Sequence, residues 1–71
     1  MAAPRPIITE YAGADKLAHA STPERAVRAA ATRLIKGDYK AADVYRDGKR
    51  IARLETNRYS IIIQFYKRNW K

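Results

Sequence analysis

The stretch YKAADVYRDGKRIARLETNRYSIIIQFYK, residues 39–67, decides the fold, because its apolar residues recur at a period of two. Side chains of a strand alternate between faces, so this period marks half-buried strands. Asp47-Gly48 separates Tyr39–Arg46 from Lys49–Thr56 and is a strong hairpin signal. Asn57-Arg58 marks a second turn. Tyr59–Lys67, rich in isoleucine and aromatic residues, is the strongest strand. The segment predicts a three-stranded antiparallel meander.

Register follows from asking which pairing gathers the apolar side chains on one face. A two-residue turn at Asn57-Arg58 pairs Thr56 with Tyr59, Leu54 with Ile61, Ala52 with Ile63 and Arg50 with Phe65. In the first hairpin, a bulge at Gly48 pairs Tyr45 with Lys49 and adds Val44 and Ala42 to the same face. A tight type I′ turn would instead align Val44 with Ile51 and spoil the pattern, so the bulge is favoured. The favoured register leaves Asp43, Tyr45, Lys49, Ile51, Arg53, Ile62, Gln64 and Tyr66 on the opposite face.

Upstream, Pro23–Lys36 reads as an amphipathic helix. Ser21 and Thr22 are both good caps, and Pro23 suits a first turn, where its missing N–H has no partner to lose. Glu24 stands at capping-box spacing from Ser21. Val27, Ala30, Ala31 and Leu34 share one face with Ile35 at its edge, and Arg25, Arg28, Thr32, Arg33 and Lys36 share the other. Gly37 supplies the left-handed stop. Further upstream, Ile7–Tyr11 alternates weakly, Ala12–Asp15 resembles a turn, and Lys16–Ala20 runs as a strand into the cap. A short helix over Asp15–Ala20 is the alternative, with Gly13 against a longer one. The whole is an α+β domain in the order ββαβββ, one amphipathic helix on an antiparallel sheet. It occupies residues 7–67, after a flexible lead (1–6) and before a loosely held basic tail (68–71).

Composition narrows the function. Seventy-one residues make one domain at most, and the absence of cysteine excludes a disulfide framework or a thiolate metal site. His19, the only histidine, has no neighbours with which to hold zinc. Each carboxylate has a cap, turn or strand position, no phosphate loop is present, and no acid–base pair suggests itself. The chain is expected to be a binding protein rather than an enzyme, with neither metal nor cofactor. Ile61-Ile62-Ile63, the longest aliphatic run, is too short to span a bilayer, and the first residues lack a secretory signal. A cytoplasmic location is expected, with no membrane partner.

Fifteen lysines and arginines against seven acidic residues leave a net charge of +8. Residues 1–20 balance Arg5 and Lys16 against Glu10 and Asp15, so the surplus lies in residues 21–71. A field of that sign attracts nucleic acid, a ribonucleoprotein complex or an acidic protein surface. Three groups of residues are candidates for the contact. Arg25, Arg28, Arg33 and Lys36 form a basic helix face. Tyr45, Lys49, Arg53, Ile62 and Tyr66 interleave rings and cations on the outer sheet face, as in sheets that stack bases. Its isoleucines also suit a homodimer. Arg46, Lys49, Arg50, Lys67, Arg68, Trp70 and Lys71 converge at one end of the meander, with Trp70 an exposed anchor.

The layout from Ile7 to Tyr66, with its Ser-Thr-Pro-Glu-Arg-Ala helix entry at 21–26 and Asp-Gly-Lys hairpin at 47–49, resembles small accessory proteins of bacteriophages and mobile elements. These include anti-CRISPR inhibitors of type I surveillance complexes. The resemblance is one of layout and carries no residue roles with it. It implies a protein that docks in the host cytoplasm on a Cas subunit or its RNA-lined groove and blocks target DNA. Direct contact with nucleic-acid phosphates, as in a small transcriptional regulator, is the alternative.

Overall fold

A computed structural model of the chain describes residues 6–57 and 60–70. Asp47 and Gly48 both adopt positive φ, 55° and 77°, the backbone of a two-residue hairpin turn matched to strand twist. This turn joins β3 (Ala41–Arg46) to β4 (Lys49–Thr56) and pairs Arg46 with Lys49 and Tyr45 with Arg50. The ladder then slips, so that Val44 faces Ala52 and Ala42 faces Leu54. Ile51 is the extra residue of a β-bulge, which turns two consecutive side chains to the same side. Ile51 and Ala52 are accordingly both 0% exposed. The bulge expected at Gly48 and its Tyr45–Lys49 pair are therefore absent: the turn is the tight one set aside from the sequence, and the alternation is restored by a bulge at Ile51 inside β4. Val44 and Ala42 keep their inward facing, whereas Ile51 belongs to the core and not to the outer face.

The second hairpin corrects the register in a different way. β4 ends at Thr56 and the next strand begins at Ile61, further along than the two-residue turn expected at Asn57-Arg58 would place it. The Asn57 amide donates to the Ser60 carbonyl (3.0 Å), and the Ser60 amide donates to Asn57 Oδ1 (2.8 Å). β5 (Ile61–Phe65) consequently pairs Thr56 with Ile61, Leu54 with Ile63 and Ala52 with Phe65. An offset of two residues preserves the alternation, so Ile61, Ile63 and Phe65 remain on the inner side. The strand position expected for Tyr59 lies outside the described residues.

Upstream of the meander, β1 (Ile7–Tyr11) and β2 (Ala18–Ala20) form the expected hairpin, and no short helix replaces it. β1 also pairs with β3, Ile8 facing Tyr45 and Tyr11 facing Ala42. The result is a five-stranded antiparallel sheet of order β2-β1-β3-β4-β5, in an α+β layout.

α1 (Pro23–Lys36) covers one side of this sheet and packs most closely against β4. Thr22 is its cap: Oγ1 accepts from the Arg25 amide at 3.2 Å. The Ser21–Glu24 capping box is therefore not formed, although Glu24 still places a negative charge in the first turn. At the other end Gly37, at φ 84°, donates to the Leu34 carbonyl while Asp38 donates to that of Arg33. These two bonds make a Schellman ending that satisfies carbonyls the helix leaves open. The buried stripe is Ala26, Ala30 and Leu34, with Val27 and Ala31 half-buried beside it. Ile35, expected at the edge of that face, is 74% exposed, because the packed face turns toward Ala26 instead. Alanines on both helix and sheet permit the close approach, and Ile7, Tyr11, Val44, Ile51 and Leu54 fill the remaining volume.

Beyond β5, residues Lys67–Trp70 form a 3-10 turn. The turn is fixed rather than loosely held. Asn69 Nδ2 donates to the Arg50 carbonyl (2.6 Å), and Trp70 Nε1 and the Tyr66 amide both donate to that of Ile51 (2.6 and 3.0 Å). The carbonyls at the bulge are thus capped by the tail. Of the expected flexible lead, residues 1–5 lie outside the described residues.

Candidate polyanion-binding surfaces

Strand alternation and register place Ile8 and Glu10 of β1, Asp43 and Tyr45 of β3, Arg50, Arg53 and Glu55 of β4, and Ile62 and Gln64 of β5 on the outer sheet face. Its cations are already engaged. Arg53 donates from NH1 to both Asp43 oxygens (2.9 and 2.8 Å) and from Nε to Glu55 Oε1 (2.6 Å). Glu55 first, and then Asp43, hold its guanidinium more firmly protonated than an ordinary arginine. Arg50 reaches Asp43 at 3.3 Å and lies 4.9 Å over the Tyr66 ring, whose hydroxyl donates to Gln64 Oε1 at 3.4 Å.

This row of contacts crosses three strands and fixes the side chains of the face. Solvent screens such surface ion pairs, so the row orders the surface more than it stabilises the fold. The strand residues of the face set Glu10, Asp43 and Glu55 against Arg50 and Arg53. The expected basic platform is therefore internally neutralised. Lys49, assigned to it from the sequence, pairs with Arg46 and alternates to the other side. Arg50 takes the place expected for Lys49. Tyr45 and Tyr66 are half-buried on the outer face, and Ile62 is exposed there.

Of the cluster expected at the end of the meander, Arg46, Lys49, Lys67 and Arg68 come together, while Arg50 turns to the outer face. Arg46 donates to the Asn69 carbonyl at 3.0 Å and draws the hairpin and the tail together. Lys49, Lys67 and Arg68 are exposed around that contact. Trp70 is not a free anchor. It is half-buried, meets Phe65 edge-to-face at 5.7 Å, and packs against the core. Lys71 lies outside the described residues.

The helix face is different in kind. Arg25, Arg28, Ala29, Thr32, Arg33 and Lys36 line a shallow depression along α1, with Asp38 at its margin. Among the described residues no carboxylate lies within ion-pair distance of Arg25, Arg28 or Lys36. Arg33 lies 5.8 Å over the ring of Tyr11, which stacks on Tyr39 at 4.7 Å. Thr32 turns its hydroxyl inward to the Arg28 carbonyl (3.0 Å). Ala29 and Thr32 are small, leaving the floor between the cations low. Arg25 and Lys36 stand eleven positions apart, a span of about 16 Å along a helix.

No metal-binding cluster of His, Cys, Asp or Glu occurs among the described residues, and none of their helices is long and apolar enough to cross a membrane. Sequence reasoning missed Asp43 and Glu55 as the residues that neutralise the sheet face. The signal was available, since opposite charges at Asp43 and Arg53 become direct partners once the bulge is placed at Ile51. The chain matches no protein-family model, no curated protein and no solved structure.

Proposed function

We propose that this protein is a non-catalytic binder of nucleic-acid backbone and that the exposed face of α1 makes the contact. The observation that carries this reading is the difference between the cations of the sheet face and those of the helix face; Lys49, Lys67 and Arg68 are exposed as well, but gather around the Arg46–Asn69 contact rather than in a row. The guanidiniums of the sheet are bound by Asp43 and Glu55, whereas Arg25, Arg28 and Lys36 have no carboxylate at ion-pair distance among the described residues. Cations spaced along a helix, with small residues between them, suit a row of phosphates and carry no base readout.

If Arg25, Arg28, Arg33 and Lys36 each neutralise one phosphate, log K should fall against log salt with a slope of about −3.6 on duplex DNA. Fluorescence anisotropy with a labelled duplex over a range of salt measures it. Arg28→Ala should reduce the slope by about one and weaken binding alike on unrelated sequences. A salt-independent affinity, or a double Arg25→Glu/Arg28→Glu variant that binds as the parent does, rules the helix face out.

A second reading places a protein partner on the outer sheet face. It is supported by Ile62, 54% exposed beside an ordered row of paired charges and the rings of Tyr45 and Tyr66. The resemblance to inhibitors of CRISPR surveillance complexes points the same way, toward the protein part of a ribonucleoprotein. Here Ile62→Asp should abolish capture of the complex and leave the salt-dependent binding of bare duplex intact. Loss of capture on nuclease treatment would instead assign the interaction to nucleic acid.

A further inference from the structure

β5 is an edge strand without the protection that edges normally carry. It pairs with β4 on one side and ends the sheet on the other. In an antiparallel ladder about half of such a strand's amides and carbonyls point away from its only neighbour. Natural sheets guard these groups with charge, proline, bulges or short length. The opposite edge, β2, is only three residues long. β5 has five, Ile61-Ile62-Ile63-Gln64-Phe65, with no charge, no proline and no bulge against β4. Ile62, Ile63 and Phe65 are 54, 38 and 47% exposed, and they make up three of the five exposed large apolar side chains among the described residues. Val27, Ala31 and Trp70 continue this apolar surface into a groove between α1 and β5, with Glu24 and Arg28 at its rim.

We infer that β5 is a homodimer interface, in which two copies join edge to edge into one continuous antiparallel sheet. Charge selects the occupant. An acidic protein or a nucleic acid gains nothing from an uncharged strand and is drawn to the cations of α1 and the tail. A second copy meets no like charge along the strand, and the rim of the adjoining groove offers one charge of each sign. The sequence also pairs well with itself. With Ile63 on the two-fold axis, Ile61 stands opposite Phe65 of the second copy and Ile62 opposite its Gln64. Inner-face residues then meet inner-face residues, as an isologous contact requires. The axis stands perpendicular to the sheet, so both helices lie on the same side of the joined sheet.

The experiment is sedimentation equilibrium on the purified chain without nucleic acid, combined with amide hydrogen exchange of β5. The parent should sediment at twice the chain mass, and consecutive β5 amides should be protected rather than every second one. Ile63→Lys and, separately, the outer-face Ile62→Lys should each sediment at the chain mass while keeping the parent's far-ultraviolet circular dichroism. The alternate β5 amides should then exchange freely. A monomeric parent with unprotected alternate amides overturns the interface. So do two variants that fold and dimerise as the parent does. Because no nucleic acid is present, neither result depends on the helix-face proposal.

Discussion

Thr22 and Ser21 stand side by side with nearly the same chemistry, and only one of them ends the helix. Thr22 Oγ1 receives the Arg25 amide, whereas Ser21 is exposed and makes no such bond. Thr22→Ala should therefore cost about 1 kcal/mol in urea denaturation, and Ser21→Ala less than about 0.5. The reverse order would place the cap at Ser21. Gly37 has a comparable role at the far end: its φ of 84° makes Gly37→Ala destabilising by about 1 kcal/mol in the same assay. At this scale the sequence reveals the existence of a stop and a start. It does not separate adjacent residues of equal capping quality, because one rotation of the backbone decides between them.

The bulge is the element whose placement most affects the surface. Hydrophobic alternation alone leaves two positions for it, since either one turns Val44, Ala42, Ala52 and Leu54 inward. What separates them is the pair Arg50 and Ile51. A bulge at Gly48 would bury the guanidinium and expose the isoleucine; a bulge at Ile51 does the reverse, which the cost of burying an unpaired charge favours. That comparison was legible in the sequence. Ile51→Ala should consequently cost about 2–5 kcal/mol as a core truncation, while Ile35→Ala, at a position 74% exposed, should change stability by less than about 0.5 kcal/mol. Chemical denaturation of the two variants checks the assignment, and equal losses would return Ile51 to the outer face. The longer connection between β4 and β5 was less accessible. It rests on the Asn57 side chain capturing the Ser60 amide, a local bond that competes with the two-residue turn.

For the molecule as a whole, the net charge of +8 does not say which cations are available to a partner. Cross-strand geometry withdraws Arg53 and Arg50 into contacts with Asp43, Glu55 and Tyr66, and leaves Arg25, Arg28 and Lys36 of the helix accessible, together with Lys49, Lys67 and Arg68 at the end of the meander. Which cations remain available depends on register, and composition has no access to that. The response to alkali is also a property of the whole fold. Burial raises the pKa of the Tyr11 phenol above its ordinary 10.0; Arg33 opposes the shift and Tyr39 adds to it. The unfolded chain then loses this proton first, so the folded state binds more protons in the window above pH 10. Stability contributed by Tyr11 is complete below that pH and declines as pH rises toward the folded value. Urea midpoints of the parent should fall across this range more steeply than those of Tyr11→Phe; parallel curves would show that the phenol titrates normally.

β1 lies between β2 and β3, and this order has a kinetic consequence. The β1–β2 hairpin and the β3–β4–β5 meander are each closed by short connections, of the kind that form in microseconds. Only the pairing of β1 with β3, Ile8 against Tyr45, joins them into one sheet, and α1 lies within the loop it closes. Closing that loop costs chain entropy before the contact repays it. The topology therefore predicts two locally closed pieces and one non-local docking step, with the helix shortening the distance the chain must search.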